Sequence, residues 1–276
     1  MLKIIILAII IVFAVLIIKG NRDDKARMRE EAEILIKEEK KIAEERERQV
    51  EERKRQVIEN GLEKSKHDIS CLERFEIKID KNNVLKRKPL RDMPEIKFKN
   101  ITRSFNKNSL QTFVVVDVET TGLYAYKDRI VELSAIFYED FKPISCFTTL
   151  INPGKPIPED ASDINGIYDE DVEDAPTIAE VSNSFLEFVG NCPVVAYNAS
   201  FDLKFLYCSG IDLISAKNPL YDAYALARKA YKEHYSYKLP AVANSIGIYY
   251  NAHSSLHDCY ATGKVFDDAI DEIIYS

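Results

Sequence analysis

Paired cysteines are the first thing this 276-residue sequence lacks. Cys71, Cys146, Cys192, Cys208 and Cys259 are odd in number, widely spaced and without any C-x-x-C. That excludes a disulfide framework and a zinc cluster as organising devices, and points to a reducing compartment. Excess positive charge is missing as well, since the net charge is −7. The deficit is unevenly spread. Residues 1–80 carry 18 basic and 18 acidic side chains, 81–107 carry 9 and 2, and 108–276 carry 11 and 25. Three such different balances exclude one uniform globule. The acidic part does not exclude a polyanionic partner, because a site that gathers metal ions needs carboxylates of its own. Glycine and proline are absent from Arg22 to Asn60, so nothing there interrupts a helix.

What is present begins with an apolar run. Ile4 to Ile18 holds no polar residue and is flanked by Lys3 and Lys19. At the short end of the range for a membrane span, it predicts a transmembrane anchor over 1–20. A cleaved signal peptide is the alternative, but Ile17, Ile18, Lys19, Gly20 and Asn21 offer no A-x-A-like site. The basic residues that follow place the bulk of the chain on the cytoplasmic side, as a single-pass membrane protein. Residues 21–61, dense in Glu, Lys, Arg and Gln, predict a long charged spacer helix stopped by Asn60 and Gly61. Met28, Leu35 and Ile42 keep a seven-residue spacing that slips by one at Val50 and Val57, leaving a weak coiled coil as the alternative to a solitary helix. Residues 62–110 read as a basic linker. Its charge gathers at Lys86, Arg87, Lys88, Arg91, Lys97, Lys99 and Arg103, and suits nucleic-acid phosphate or anionic lipid.

The globular part is predicted over 111–276, and the stretch Phe113 to Leu123, FVVVDVETTGL, organises it. A β-branched run reads as a buried strand. Alternation puts Phe113, Val115, Asp117 and Glu119 on one side, the two acids roughly 6.7 Å apart along the backbone. Unpaired acids at an apolar strand end are costly to desolvate, and a divalent cation with oxygen ligands is the simplest remedy. Ile130 to Tyr138 and Ile144 to Ile151 follow as strands, joined by short loops that favour an antiparallel meander. Thr177 to Val189 has helical spacing, Pro193 to Ala196 is a short strand, and Asn198 or Ser200 can cap the helix containing Asp202. Helices are expected over 221–231 and 239–246, and Asp258 opens the last one. The pattern predicts an α/β domain with helices on the faces of its sheet.

Three motifs then fall in order: Asp117 and Glu119 in VDVETTGL, Asn198 and Asp202 in YNASFDLKFL, and His253 and Asp258 in HSSLHDCYATGKVF. They resemble the three motifs of the DEDD exonucleases, histidine subclass, the family of the proofreading subunit of bacterial replicative polymerase. The resemblance covers residues 111 to about 271, and takes in DRIVELSAI at Asp128 to Ile136 and INGIYDEDVEDAP at Ile164 to Pro176. Asn165 stands where many members have His.

The resemblance implies a ribonuclease H-like mixed sheet with flanking helices. It implies two Mg²⁺ or Mn²⁺ ions held by Asp117, Glu119, Asp202 and Asp258, with His253 as general base. Thr120, Thr121, Gly122 and Leu123 would receive the terminal nucleotide, flanked by Asn198 and Phe201. The implied activity is 3′-to-5′ hydrolysis of single-stranded DNA or RNA ends to nucleoside 5′-monophosphates, with a polymerase or repair protein as an unidentified partner. A secreted nuclease and a catalytically weak nucleic-acid-binding module are the rivals. The five-residue step from His253 to Asp258 would separate them by some 140° on one helix, so the histidine belongs in the loop before it. An imidazole with an ordinary pKa near 6.5 suits proton removal at neutral pH.

Overall fold

The computed structural model describes residues 22–276, and the chain divides into two compact units at Asn60/Gly61. The expected anchor over 1–20 lies outside the described residues. Among the described residues no helix is long and apolar enough to cross a membrane. The expected single-pass membrane placement is corrected accordingly.

Helix α1 runs over Arg22–Ser70. Its first unit is charged and exposed, with Leu35, Ile42, Val50 and Val57 facing solvent. Ion pairs one turn apart, Arg27–Glu31 at 3.3 Å and Arg48–Glu45 at 2.6 Å, lace the surface. The helix does not stop at Asn60 and Gly61. Gly61 is instead a point of close approach, where an added Cβ would come within 2.5 Å of the Tyr249 ring. Beyond it Ser65 and Ile69 are buried in the second unit, and the Tyr260 hydroxyl donates to the Asp68 carboxylate at 2.6 Å.

The second unit is built on a six-stranded sheet. Its strands are β1 (Glu73–Arg74), β2 (Thr112–Thr120), β3 (Ile130–Glu139), β4 (Lys142–Leu150), β5 (Val194–Ala196) and β6 (Leu220–Asp222). The spatial order is β1-β4-β3-β2-β5-β6. Strands β2, β3 and β4 form the expected antiparallel meander, while β5 lies parallel to β2, β6 to β5 and β1 to β4.

Between strands run α2 (Glu159–Asn165), α3 (Asp169–Val172), α4 (Ile178–Val189) and α5 (Ser200–Cys208), and after β6 follow α6 (Ala223–Ala230), α7 (Leu239–Ser245) and α8 (Ser255–Tyr275). Helix α4 opens on a reciprocal cap, in which Thr177 and Glu180 each satisfy the other's backbone N–H. Alternation along β2 divides the core. Val114, Val116 and Val118 pack with α4 and α5 on one face, and Phe113 and Val115 pack with α6 and α8 on the other. Phe113 stacks on Tyr138 with ring centroids 4.9 Å apart. The Tyr138 hydroxyl donates to the Tyr260 carbonyl at 3.2 Å. Gly263 lets α8 lie directly against that ring, since a Cβ there would overlap it.

The expected linker over 62–110 belongs to this unit. β1 extends one edge of the sheet, and the Phe75 N–H donates to the Cys146 carbonyl at 2.9 Å. The chain then crosses α4, where the Lys78 N–H donates to Ser184 Oγ. It passes α5, where the Lys88 N–H donates to the Cys208 carbonyl. It reaches the opposite edge, where Phe98 bridges Leu220 of β6. Phe75, Ile77, Leu85, Leu90, Ile96 and Phe98, set between the lysines, pack on the core. This strap covers both edges of the sheet, which would otherwise offer unpaired backbone groups.

Candidate active site

The site forms where β2 runs out. A β-bulge between Glu119 and Thr120 breaks the register with β3, and bulges re-aim side chains beside sites of this kind. Asp117 and Glu119 share the α8 face of β2, and α8 brings Asp258 to meet them. Each of the three offers a carboxylate oxygen, all within 4.8 Å of one another. Asp202, on α5, is buried at 2% exposure. Its Oδ1 accepts a hydrogen bond from the Val118 N–H at 3.2 Å, which pins α5 to the same strand end.

Like charges crowded away from water hold their protons. Burial, reinforced by Asp202, Asp258 and Glu119, raises Asp117 far above the carboxylate range. Burial and Asp258 push Glu119 up to about 8. Burial takes Asp202 to about 8, against the pull of the backbone N–H groups it accepts from. Asp258 rises only to about 6, because burial is opposed by the nearby Tyr250 hydroxyl and by the His253 N–H. An all-oxygen donor set strained in this way fits hard divalent cations, which need carboxylates and relieve their repulsion.

His253 lies in the loop before α8, as the spacing predicted, in the left-handed conformation (φ 66°). Its backbone N–H donates to Asp258 Oδ2 at 3.0 Å, and the residue is exposed. The histidine and the carboxylate are therefore positioned by one another through the main chain. His257 faces elsewhere: its Nδ1 is 3.2 Å from the Ser254 hydroxyl.

The loop after β2 is held from below. Thr120 Oγ1 donates to the Gly122 carbonyl at 2.7 Å, and the Thr121 hydroxyl accepts from the Arg129 N–H at 3.1 Å. Gly122 passes so close to buried Asp128 that a Cβ would sit 2.6 Å from its carboxylate. Leu123 projects into solvent at 75% exposure. Asn198 adopts φ 59° and does not cap α5, whose cap position is Ala199 with no side-chain bond. Its N–H donates to Asp222 Oδ1 at 3.2 Å, and that same oxygen accepts from Tyr224 at the start of α6. Leu123, Asn198 and Phe201 line one groove.

One acidic residue here was not singled out from the sequence. Glu132 stands opposite Glu119 in the β2–β3 register, its charge raises Glu119, and it accepts from the Ser255 N–H at 2.8 Å at the start of α8. The available signal was a lone acid inside the apolar run IVELSAIF.

A family model described as Exonuclease (RNase_T) matches residues 114–266. Among known proteins, the DNA polymerase III PolC-type of Clostridium perfringens (strain 13 / Type A) is 37% identical over 155 residues, which is 55% of this chain and 11% of the polymerase. Its counterpart in Bacillus subtilis (strain 168) is 35% identical over 170 residues, 59% of this chain and 12% of that one. This chain thus spans only about an eighth of the length of the polymerases it resembles. Among solved structures, exonuclease X in complex with 5′ overhanging duplex DNA aligns at 25% identity over 58% of this chain and 91% of that one, with a TM-score of 0.48. E. coli exonuclease I in complex with a dT13 oligonucleotide aligns at 21% identity over 56% and 40%, with a TM-score of 0.49. The family match takes in more than half of the sequence and runs from the first clustered carboxylate through the last, so the chain belongs to the exonuclease family of the DEDD superfamily.

Proposed function

We propose that the second unit is a 3′-to-5′ exonuclease, dependent on two divalent ions, that removes nucleoside 5′-monophosphates from single-stranded ends. The convergence of Asp117, Glu119 and Asp258, with Asp202 pinned behind them, carries this reading. Those four carboxylates would hold Mg²⁺ or Mn²⁺, which when bound supply charge neutralisation at the phosphate and at the leaving oxygen. The chain's own part is to orient and to move a proton. Exposed His253, fixed beside Asp258 through its backbone, takes the proton of the attacking water. Thr120, Thr121 and Gly122 form a narrow ledge for the terminal sugar, and its tightness against Asp128 favours a free 3′-hydroxyl over a phosphate dianion. Leu123 and Phe201 meet the terminal base, and Asn198 offers its free side chain to the same groove. The polymerase relatives favour DNA as the substrate.

The test is a pair of end-labelled single strands, DNA and RNA, incubated with Mg²⁺ or Mn²⁺ and then with chelator. Mononucleotides should appear from the 3′ end, stop on chelation, and be prevented by a 3′-phosphate but not by a blocked 5′ end. Equal shortening of 3′-phosphorylated and free strands would contradict the direction of attack.

A further inference from the structure

The groove beside the catalytic cluster does not end at the residues that the resemblance accounts for. Its cavity of about 290 Å³ is lined by Leu123, Asn198 and Phe201, and also by Tyr124, Tyr126 and Leu90. A second cavity shares Leu90 and Tyr126, and continues along Arg87, Lys88 and Arg91. Residues 87–91 belong to the strap and lie outside the family match over 114–266.

This lip is anchored. Arg87 Nη2 donates to the Ala125 carbonyl at 2.6 Å, tying the strap to the loop that carries both tyrosines. Lys88 Nζ pairs with Asp212 at 3.1 Å, and the Tyr207 hydroxyl donates to the Asp92 carbonyl at 2.7 Å. What the anchoring presents is apolar and basic. Tyr124 and Tyr126 are 53% and 62% exposed, with ring centroids 5.8 Å apart. Lys127 Nζ sits 4.6 Å above the Tyr124 ring, Lys204 lines the groove, and Arg91 is solvent-facing with only a 3.7 Å contact to Asp92. The surrounding residues 108–276 carry 25 acidic and 11 basic side chains. A basic strip edged with exposed aromatic rings, set in an acidic domain beside the catalytic carboxylates, complements one kind of occupant. Single strands bind by stacking bases on aromatic faces along a positively charged groove.

We propose that the strap and the 123–127 loop form a second nucleotide subsite, which holds the strand on the 5′ side of the terminal nucleotide, with a base stacked on Tyr126 and a phosphate on Arg91. This rests on the exonuclease reading above. The subsite sets how strongly the enzyme prefers strands over a lone terminal nucleotide, and its strap half, residues 87–91, lies outside the family match.

The experiment compares the full chain with Tyr126→Ala, Tyr126→Phe and Arg91→Gln on an oligothymidylate dodecanucleotide and on the p-nitrophenyl ester of thymidine 5′-monophosphate, which has no nucleotide on the 5′ side and so fills the terminal position alone. Cleavage is followed with Mn²⁺, and binding by fluorescence anisotropy in chelator. Tyr126→Ala should lower the dodecamer-to-ester ratio of kcat/KM by about 10- to 100-fold, and Tyr126→Phe should keep it. Arg91→Gln should flatten the slope of log affinity against log salt by about 0.7, the value for one lost phosphate contact on a single strand. Both side chains are exposed, so altered melting is not expected. An unchanged dodecamer-to-ester ratio and an unchanged salt slope overturn the subsite. A dimer that Tyr126→Ala dissociates, with dodecamer binding intact, assigns the face to a second copy and overturns it equally. A wild-type chain that cleaves neither substrate sinks the exonuclease reading, and the anisotropy arm then still decides the subsite.

Discussion

Glu119→Gln offers a way to weigh the carboxylate cluster without measuring catalysis. Glu119 titrates near 4.5 in an open chain and near 8 in the folded domain, chiefly from burial and then from Asp258 and Glu132. Between those values the folded state binds the proton that the unfolded state has lost, so stability falls as pH rises through the window. The span is 8 less 4.5, and a pKa unit is worth about 1.4 kcal/mol. By pH 7 about 2.5 units of it have been traversed, a loss on the order of 3 kcal/mol relative to pH 4.5. For a domain of 150–250 residues that is about 6–12 °C in Tm. His257 works in the opposite sense, since burial lowers its pKa from 6.5 and its neutral form is favoured when folded. The variant-minus-wild-type difference removes that contribution. Chelated wild type should therefore lose Tm from pH 5 to pH 8 more steeply than chelated Glu119→Gln. Adding Mg²⁺ or Mn²⁺ should raise the wild-type Tm most at the alkaline end, where the carboxylates are ionised. Parallel Tm-against-pH curves for the two proteins in chelator would refute the claim that burial of Glu119 among like charges limits stability.

Three further outcomes follow from the same geometry. Asp202→Asn should abolish turnover yet melt close to the wild type, because an amide oxygen can still accept from the Val118 N–H; melting and rate measured together check it, and retained activity would remove Asp202 from the metal site. His253→Ala should lower the rate by about 10² to 10⁴ with metal-induced stabilisation intact, whereas His257→Ala, whose ring meets Ser254, should do far less. Gly263→Ala should destabilise the domain by about 1–3 kcal/mol, read by chemical denaturation, since the Tyr138 ring it meets is stacked on Phe113 and has little room to shift.

The site was legible because its chemistry constrains residue type at short range. Asp117 and Glu119 interrupt an apolar strand two residues apart, His253 and Asp258 bracket a helix start, and although neither pair is specific alone, the two with Asn198 and Asp202 between them fall in one order along the chain. The strap was not legible for the converse reason. Phe75, Ile77, Leu85, Leu90, Ile96 and Phe98 touch different elements in turn, so they share no period of 2 or 3.6, and the lysines between them read as a solvated connector. Gly61 misled for a related reason: from sequence a glycine after Asn signals a helix stop, but here the missing side chain admits Tyr249, some 190 positions later, a long-range contact that no local window contains. Glu132 shows where the two cases meet. It breaks an apolar run as Asp117 does, but its partners are Glu119 across the sheet and the Ser255 N–H from α8, so only the assembled register gives it a role. That bond holds the start of the helix carrying Asp258. Glu132 is thus a positioning residue, distinct from the four carboxylates proposed to hold metal. The distinction has a measurable form: Glu132→Gln keeps an oxygen to accept from Ser255 and should retain much of the activity, whereas Glu132→Ala frees the start of α8 and should weaken metal-induced stabilisation and rate together. Equal loss in both variants would mean that the charge itself, not the position it enforces, is what the site requires.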